Sequence, residues 1–193
     1  MDNYHVGASR GAGGLALMMG EKYYVSKNFI NHETISNGPL RTVFRLDYED
    51  WDGPYGKISE HKMISLDKGS NLSKIEVNIK GTNNISAGIS LQDNNGSIIE
   101  INNGILLKQN HFETILSNVL LTSSQYYDGF HVYNPQIKDK NHVFLDFKLK
   151  EGKLVYYSGF HWSESKQFKD HSSWEAHLNQ LAAKIDNPIQ IKY

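Results

Sequence analysis

The chain has 193 residues, enough for one domain with a real core, and its formal net charge of −1 speaks against a broad basic surface of the kind that binds nucleic acid. Cysteine is absent, which excludes disulfides and thiolate chemistry and leaves the compartment open. No apolar run is long enough to span a bilayer, and Met1 is followed at once by Asp2-Asn3, so no secretory signal is expected at this end.

The first element to interpret is the glycine-rich stretch Val6–Gly20, in which Gly7, Gly11, Gly13 and Gly14 crowd around Arg10. Gly11 to Ala16 fits the loose pattern G-x-G-x-x-A. That pattern marks a dinucleotide loop only between a buried strand and a helix. The residues before it are too small and polar for a central parallel strand. Those after it run only from Leu15 to Met19 before Gly20, too short for an ordinary helix. The stretch therefore predicts a glycine-kinked strand pair with Arg10 on a constrained turn, bringing His5 and Arg10 toward one groove.

Period-two alternation then runs along most of the chain. Leu40, Thr42, Phe44, Leu46 and Tyr48 share one strand face, with Arg41, Val43, Arg45 and Asp47 on the other. Arg41 and Arg45 thus stand roughly 13 Å apart along one face. They lead to Trp51-Asp52, beside the turn signature Asp52-Gly53-Pro54, where Trp51 is expected to be at least partly exposed. A guanidinium fork suits a uronate carboxylate and an aromatic platform suits a sugar ring. The competing reading is a solvated face on which Arg45 and Asp47 pair. Ile75, Val77 and Ile79 alternate with Lys74, Glu76, Asn78 and Lys80. Val143, Leu145, Phe147 and Leu149 alternate with His142, Phe144, Asp146 and Lys148. Turn signals separate the runs, among them Asn37-Gly38-Pro39, Asn94-Asn95-Gly96, Asn102-Asn103-Gly104 and Glu151-Gly152. Many short strands with frequent turns predict an all-β, mainly antiparallel sandwich or barrel.

A two-residue turn at Glu151-Gly152 would place His142 opposite His161 and Asp146 opposite Tyr157, all four on one face. Such a face suits sugar binding or acid–base work; otherwise it is an outer face with incidental polar pairs, and a register slip of one residue destroys it. His61 and His131, the latter behind Tyr126-Tyr127-Asp128, are further candidates to move a proton, as in β-elimination at a uronate C5. The nine histidines show neither H-x-H nor H-E-x-x-H spacing. No transition metal and no other cofactor is expected; calcium is left open. Only the C-terminus has helical periodicity. Ser172-Ser173-Trp174-Glu175 reads as a capping box, and Trp174, Leu178, Leu181 and Ile185 form an apolar stripe. A helix from Ser172 to Ile185 is expected, with Trp174 anchored in the core and Ile189–Tyr193 available for a last strand.

Three blocks, "YHVGASRGAGGLAL", "NGPLRTVFRLDYEDWD" followed by "ISLDKGSNLSKIEV", and "YYSGFHW…SSWEAHLNQLAAKIDNPIQIKY", occur in the order in which they resemble a bacterial family known as a domain of unknown function. The family is often encoded within polysaccharide-degradation loci. The resemblance implies a fold similar to the galactose-mutarotase-like β-supersandwich and a periplasmic or extracellular location. It also implies that this chain, a single domain over 1–193, corresponds to the C-terminal half of a longer protein or to a short member. It does not carry a reaction with it.

These readings converge on a carbohydrate-active protein that binds or processes oligosaccharides, including uronate-containing ones. If catalytic, it would be a lyase, epimerase or hydrolase in which His5, His61, His131 or His161 acts with Tyr157. Arg10, Arg41, Arg45, Trp51, Asp52 and His142 would hold the substrate. The alternative is a non-catalytic sugar-binding or accessory structural domain. The partner expected is an oligosaccharide or polysaccharide fragment, not nucleic acid or membrane; oligomeric state is not legible.

Overall fold

The computed structural model describes residues 9–20, 22–92, 96–135, 137 and 139–189. His5, the turn at Asn94-Asn95 and the last residues of the expected final strand lie outside this set. Among the described residues, fourteen strands form two antiparallel sheets. The smaller has five strands: β12 (Tyr127–Tyr133), β13 (His142–Lys148), β8 (Asn84–Ser90), β1 (Ala12–Met19) and β2 (Lys22–Tyr24), in that spatial order. The larger has nine. Eight lie in the order β3 (Phe29–Asn37), β4 (Arg41–Tyr48), β6 (Gly56–Asp67), β7 (Leu72–Lys80), β14 (Lys153–Trp162), β11 (Thr114–Thr122), β10 (Gly104–His111), β9 (Gly96–Ile101), and β5 (Trp51–Gly53) pairs separately with β6.

The alternation read from the sequence sets the layers. Ile75, Val77 and Ile79 of β7, Ile105 and Leu107 of β10 and Leu154 and Tyr156 of β14 meet Ile85, Ala87, Ile89, Val143, Leu145 and Phe147 of the smaller sheet in the main core. Strands β10 and β11 are apolar on both faces because both are covered: Leu106, Val119 and Leu121 point away from the smaller sheet into a second core beneath the C-terminal helix α1, His171–Asp186. The fold is thus an all-β sandwich with one helix laid on the back of the larger sheet. Strand β3, at the far edge, is exposed along its whole length.

Helix α1 matches the expected segment within a residue at each end, and Trp174 is fully buried. Its cap is different. Asp170, not Ser172, accepts from the Ser173 N–H at 2.8 Å, and the Ser173 hydroxyl closes the box. Glu175 instead lies 3.3 Å from His171 across one turn. Either box would satisfy orphan N–H groups at the helix start, and the upstream one forms.

The hairpin at Glu151-Gly152 also departs from expectation. Its turn closes, with Lys150 bridged to Lys153, but the strands then diverge. Strand β13 pairs with β8 and β12, whereas β14 pairs with β7 and β11. His142 therefore does not face His161, nor Asp146 Tyr157; the two members of each pair belong to different sheets. Main-chain hydrogen bonds to β8 and β12 on one side, and to β7 and β11 on the other, take the place of the local pairing.

Candidate functional site

On β13, Val143, Leu145 and Phe147 enter the main core, so His142, Phe144 and Asp146 face outward. Register extends that face across the small sheet. Ser90, Gly88 and Ser86 stand opposite His142, Phe144 and Asp146, and His131 and Tyr133 of β12 stand opposite Phe144 and His142. The result is a dense patch of polar and aromatic groups on the side of the small sheet that the large sheet does not cover.

At its centre, His131 Nδ1 lies 2.8 Å from Asp146 Oδ2, and the Ser86 hydroxyl donates to Asp146 Oδ1 at 2.5 Å. An ionised carboxylate only accepts, so Nδ1 holds a proton, and in the neutral ring Nε2 keeps its lone pair. The imidazole stacks on Phe144 at 5.3 Å and 21°. A base whose tautomer is set by an anchored carboxylate is an arrangement suited to moving protons. Beside it lies a cavity of about 260 Å³, lined by Met18, Asn84, Ser86, Asp128, His131 and Asp146 among others. It is smaller than the roughly 300–1,000 Å³ of ordinary ligand clefts, a size for one ring rather than an extended ligand.

His142 has a different task. Arg10 N–H donates to its Nε2 at 2.8 Å, so Nδ1 must carry the proton, and it lies 2.7 Å from the Lys140 carbonyl. Both nitrogens are used within the protein. Burial, opposed by the Lys140 carbonyl and reinforced by the Arg10 charge, pulls its pKa down from 6.5 to about 4. A neutral, saturated imidazole does not exchange protons with a ligand at neutral pH; it clamps the Arg10 turn to β13. The opening glycines complete the clamp. Gly13 adopts φ +99° at a break in the β1–β8 register, and Gly14 N–H donates to the Arg10 carbonyl at 3.2 Å. A β-carbon on Gly88 would sit 2.7 Å from the Phe144 ring and 3.0 Å from Arg10 Cβ, so a bare α-carbon is needed where those side chains converge. Tyr23 closes the group, its ring 5.5 Å from Tyr133, 5.9 Å from His142 and 5.9 Å from the Arg10 guanidinium. Burial lowers the pKa of Arg10 and raises that of Tyr23.

The other predicted residues lie elsewhere. His161 is buried on the opposite side of the sandwich, its ring 5.2 Å from Phe168 and 5.5 Å from Trp174 beneath α1. Tyr157 packs against the same second core. Arg41 forms a two-pronged pair with Asp67, at 2.5 and 2.8 Å. Arg45 lies 3.2 Å from both Glu33 and Asp47, and His61 lies 2.9 Å from Asp47. This polar ladder on β3, β4 and β6 already pairs its cations with carboxylates. The His61 bond, helped by Asn31 and Arg45, holds Asp47 below the usual carboxylate range. Trp51, expected near solvent, is only 5% exposed: it belongs to the main core and donates through Nε1 to buried Glu60 at 3.1 Å. Asp52 is exposed and pairs with Lys57 at 2.8 Å. Of the predicted residues, the small-sheet face gathers Arg10, His131, His142 and Asp146; Ser86, Gly88, Tyr23, Tyr133 and Phe144 complete it. The alternation of Ser86, Gly88 and Ser90 with Ile85, Ala87 and Ile89 was a readable signal of that face, but Tyr23 arrives only through tertiary folding. Among the described residues, no group of three or more His, Asp or Glu side chains is arranged to hold a metal ion, and no helix is long and apolar enough to cross a membrane.

The fold and this face define a two-sheet β-sandwich domain with a polar and aromatic site on its smaller sheet. The chain belongs to the family described as "Domain of unknown function (DUF4861)", whose model matches residues 1–191. It is 37% identical over 194 residues to "Uncharacterized protein P7" of Formosa agariphila, a match covering 99% of this chain and 49% of that protein. The chain thus spans about half the length of the curated relative it matches. No solved structure matches it.

Proposed function

We propose that this domain is carbohydrate-active, binding oligosaccharides on the outer face of the small sheet and processing them by acid–base chemistry. The observation that carries the reading is the Ser86–Asp146–His131 chain, ending in a free Nε2 beside a ring-sized cavity and a cluster of aromatic side chains. His131 would remove or deliver a proton at a sugar carbon or oxygen, and Asp146 would hold its ring and balance the imidazolium. Aromatic faces suit sugar rings, and Arg10 supplies a cation next to them. The sequence blocks shared with a family encoded in polysaccharide-degradation loci support the same reading, as they support a galactose-mutarotase-like sandwich and a periplasmic or extracellular location. The second reading, a non-catalytic sugar-binding or accessory domain, is favoured by His142, both of whose ring nitrogens are used within the protein.

The test is a panel of acidic and neutral oligosaccharides incubated with the protein. Products are followed by the ultraviolet absorbance of unsaturated uronates, by new reducing ends and by proton NMR, and binding is followed by calorimetry. The acid–base reading expects turnover that His131→Asn abolishes while binding persists. Binding without turnover, unaffected by His131→Asn, establishes the non-catalytic reading instead. Absence of both overturns the carbohydrate assignment.

A further inference from the structure

A second cavity, of about 430 Å³, opens where the Arg10 turn, the segment joining β2 to β3, and strands β4 and β6 meet. Among the described residues, three cationic side chains line it, Arg10, Lys27 and Lys62, together with Ser9, Asn28 and Tyr48, and no Asp or Glu does. The three cations are not equivalent. Lys62 is largely buried, 2.7 Å from Glu60, with its ammonium 4.7 Å from the centre of the Tyr48 ring. Its charge is balanced from below the cavity. Asp52, the carboxylate whose titration Lys27 influences, is bonded to Lys57. Arg10 has no carboxylate partner among the described residues, and its buried Nε has no hydrogen-bond partner among them.

A buried guanidinium N–H without an acceptor is costly. In this protein the cost is built in by several independent devices: His142 clamps the Arg10 main chain, Gly88 admits its Cβ and Cγ, and Tyr23 covers the guanidinium. The cation is thereby held in place before any ligand arrives, so little side-chain entropy is left to lose on binding. Placed donors on Arg10, Lys27, Ser9 and Asn28, with no competing acid among the described lining residues, match the acceptor-only oxygens of an anion. The contrast with Arg41 and Arg45, whose charges Asp67, Glu33 and Asp47 already answer, singles out this cavity.

We propose that the cavity beside Arg10 binds the anionic substituent, a carboxylate or a sulfate ester, of an acidic glycan whose neighbouring ring lies on the small-sheet face. This deepens the carbohydrate reading and rests on it. Arg10 joins the two regions, touching the Tyr23 side of the aromatic cluster and lining the cavity at once.

The experiment is calorimetric titration of the whole chain with two matched pairs: an oligogalacturonate and its methyl ester, and a sulfated galactan oligosaccharide and its desulfated counterpart. Inorganic sulfate is a further probe, scored by thermal shift. The variants are Arg10→Gln and Lys27→Ala; Lys27 is exposed, so its loss tests the cavity without endangering the fold. The expected result is preference for the charged member of at least one pair. Arg10→Gln should reduce that preference about tenfold or more, and Lys27→Ala should reduce it by a smaller, salt-dependent factor. Which pair discriminates identifies carboxylate or sulfate ester. Equal binding of charged and neutral partners, or a preference that both variants retain, overturns the cavity assignment and leaves the carbohydrate reading standing. A thermal shift by inorganic sulfate that depends on Arg10, with no glycan bound, overturns the carbohydrate reading and with it the proposed ligand.

Discussion

Acid should destabilise this protein through His142 in a way that can be isolated. The ring is fully buried, with Nε2 accepting from the Arg10 N–H and the Nδ1 proton directed to the Lys140 carbonyl. Burial disfavours the charged ring first of all, and protonating Nε2 would also break the first bond and place a cation beside the Arg10 guanidinium, which explains a pKa of about 4 against 6.5 for a free imidazole. The native state therefore prefers the neutral ring. Above pH 6.5 neither native nor unfolded chain binds the proton, and the contribution to stability is complete. As pH falls from 6.5 toward 4 the unfolded chain binds a proton that the native state refuses, so stability is lost; below 4 both states are protonated and the loss levels off. At about 1.4 kcal/mol per pH unit, that interval is worth about 3 kcal/mol. Other groups titrate in the same range, so the measurement is a difference. Urea unfolding is followed from pH 7 to pH 4 for wild type and for His142→Gln, whose amide offers an acceptor and a donor but does not titrate. The wild type should lose about 3 kcal/mol more than the variant across that range. Parallel curves would refute the reasoning, as would an NMR titration in which the His142 ring protonates near pH 6.5.

Two further expectations concern packing. Trp174→Ala should cost about 3–5 kcal/mol, because the ring is fully buried against His161 and Phe168. Trp174→Phe should cost clearly less, because the buried indole N–H has no partner among the described residues; equal melting temperatures for wild type and Trp174→Ala would remove the ring from the second core. Gly159→Ala should destabilise more than Gly88→Ala, as read by melting temperature. The added carbon would lie 1.9 Å from the Asn71 main-chain oxygen in the first case, and 2.7 Å from a side-chain atom, Phe144 Cε1, in the second. The reverse order would show that the Phe144–Arg10 contact is the more rigid of the two.

Period-two alternation determines most of this architecture: which residues of β7, β13 and β14 face the core follows from local pleating alone, and the stretch with period 3.6 forms the long helix α1. Within the candidate site, alternation likewise put His142 and Asp146 on one face. Pairing between distant strands was not legible, since main-chain hydrogen bonds are the same whichever strand is the neighbour. The Glu151-Gly152 turn formed as its residues dictate, yet β13 and β14 entered different sheets and parted His142 from His161. Burial of single aromatics was hidden for a related reason. Trp51 follows acidic residues and precedes a turn, and only the folding of β5 onto β6 brings Glu60 to its indole N–H and closes the core over it. The site is the extreme case: Arg10, Tyr23, Ser86, His131 and His142 come from five separate segments whose side chains meet because the small sheet is assembled across the chain. A local pattern specifies which way a side chain points from its own strand, whereas its neighbours are chosen by the packing of one sheet against the other.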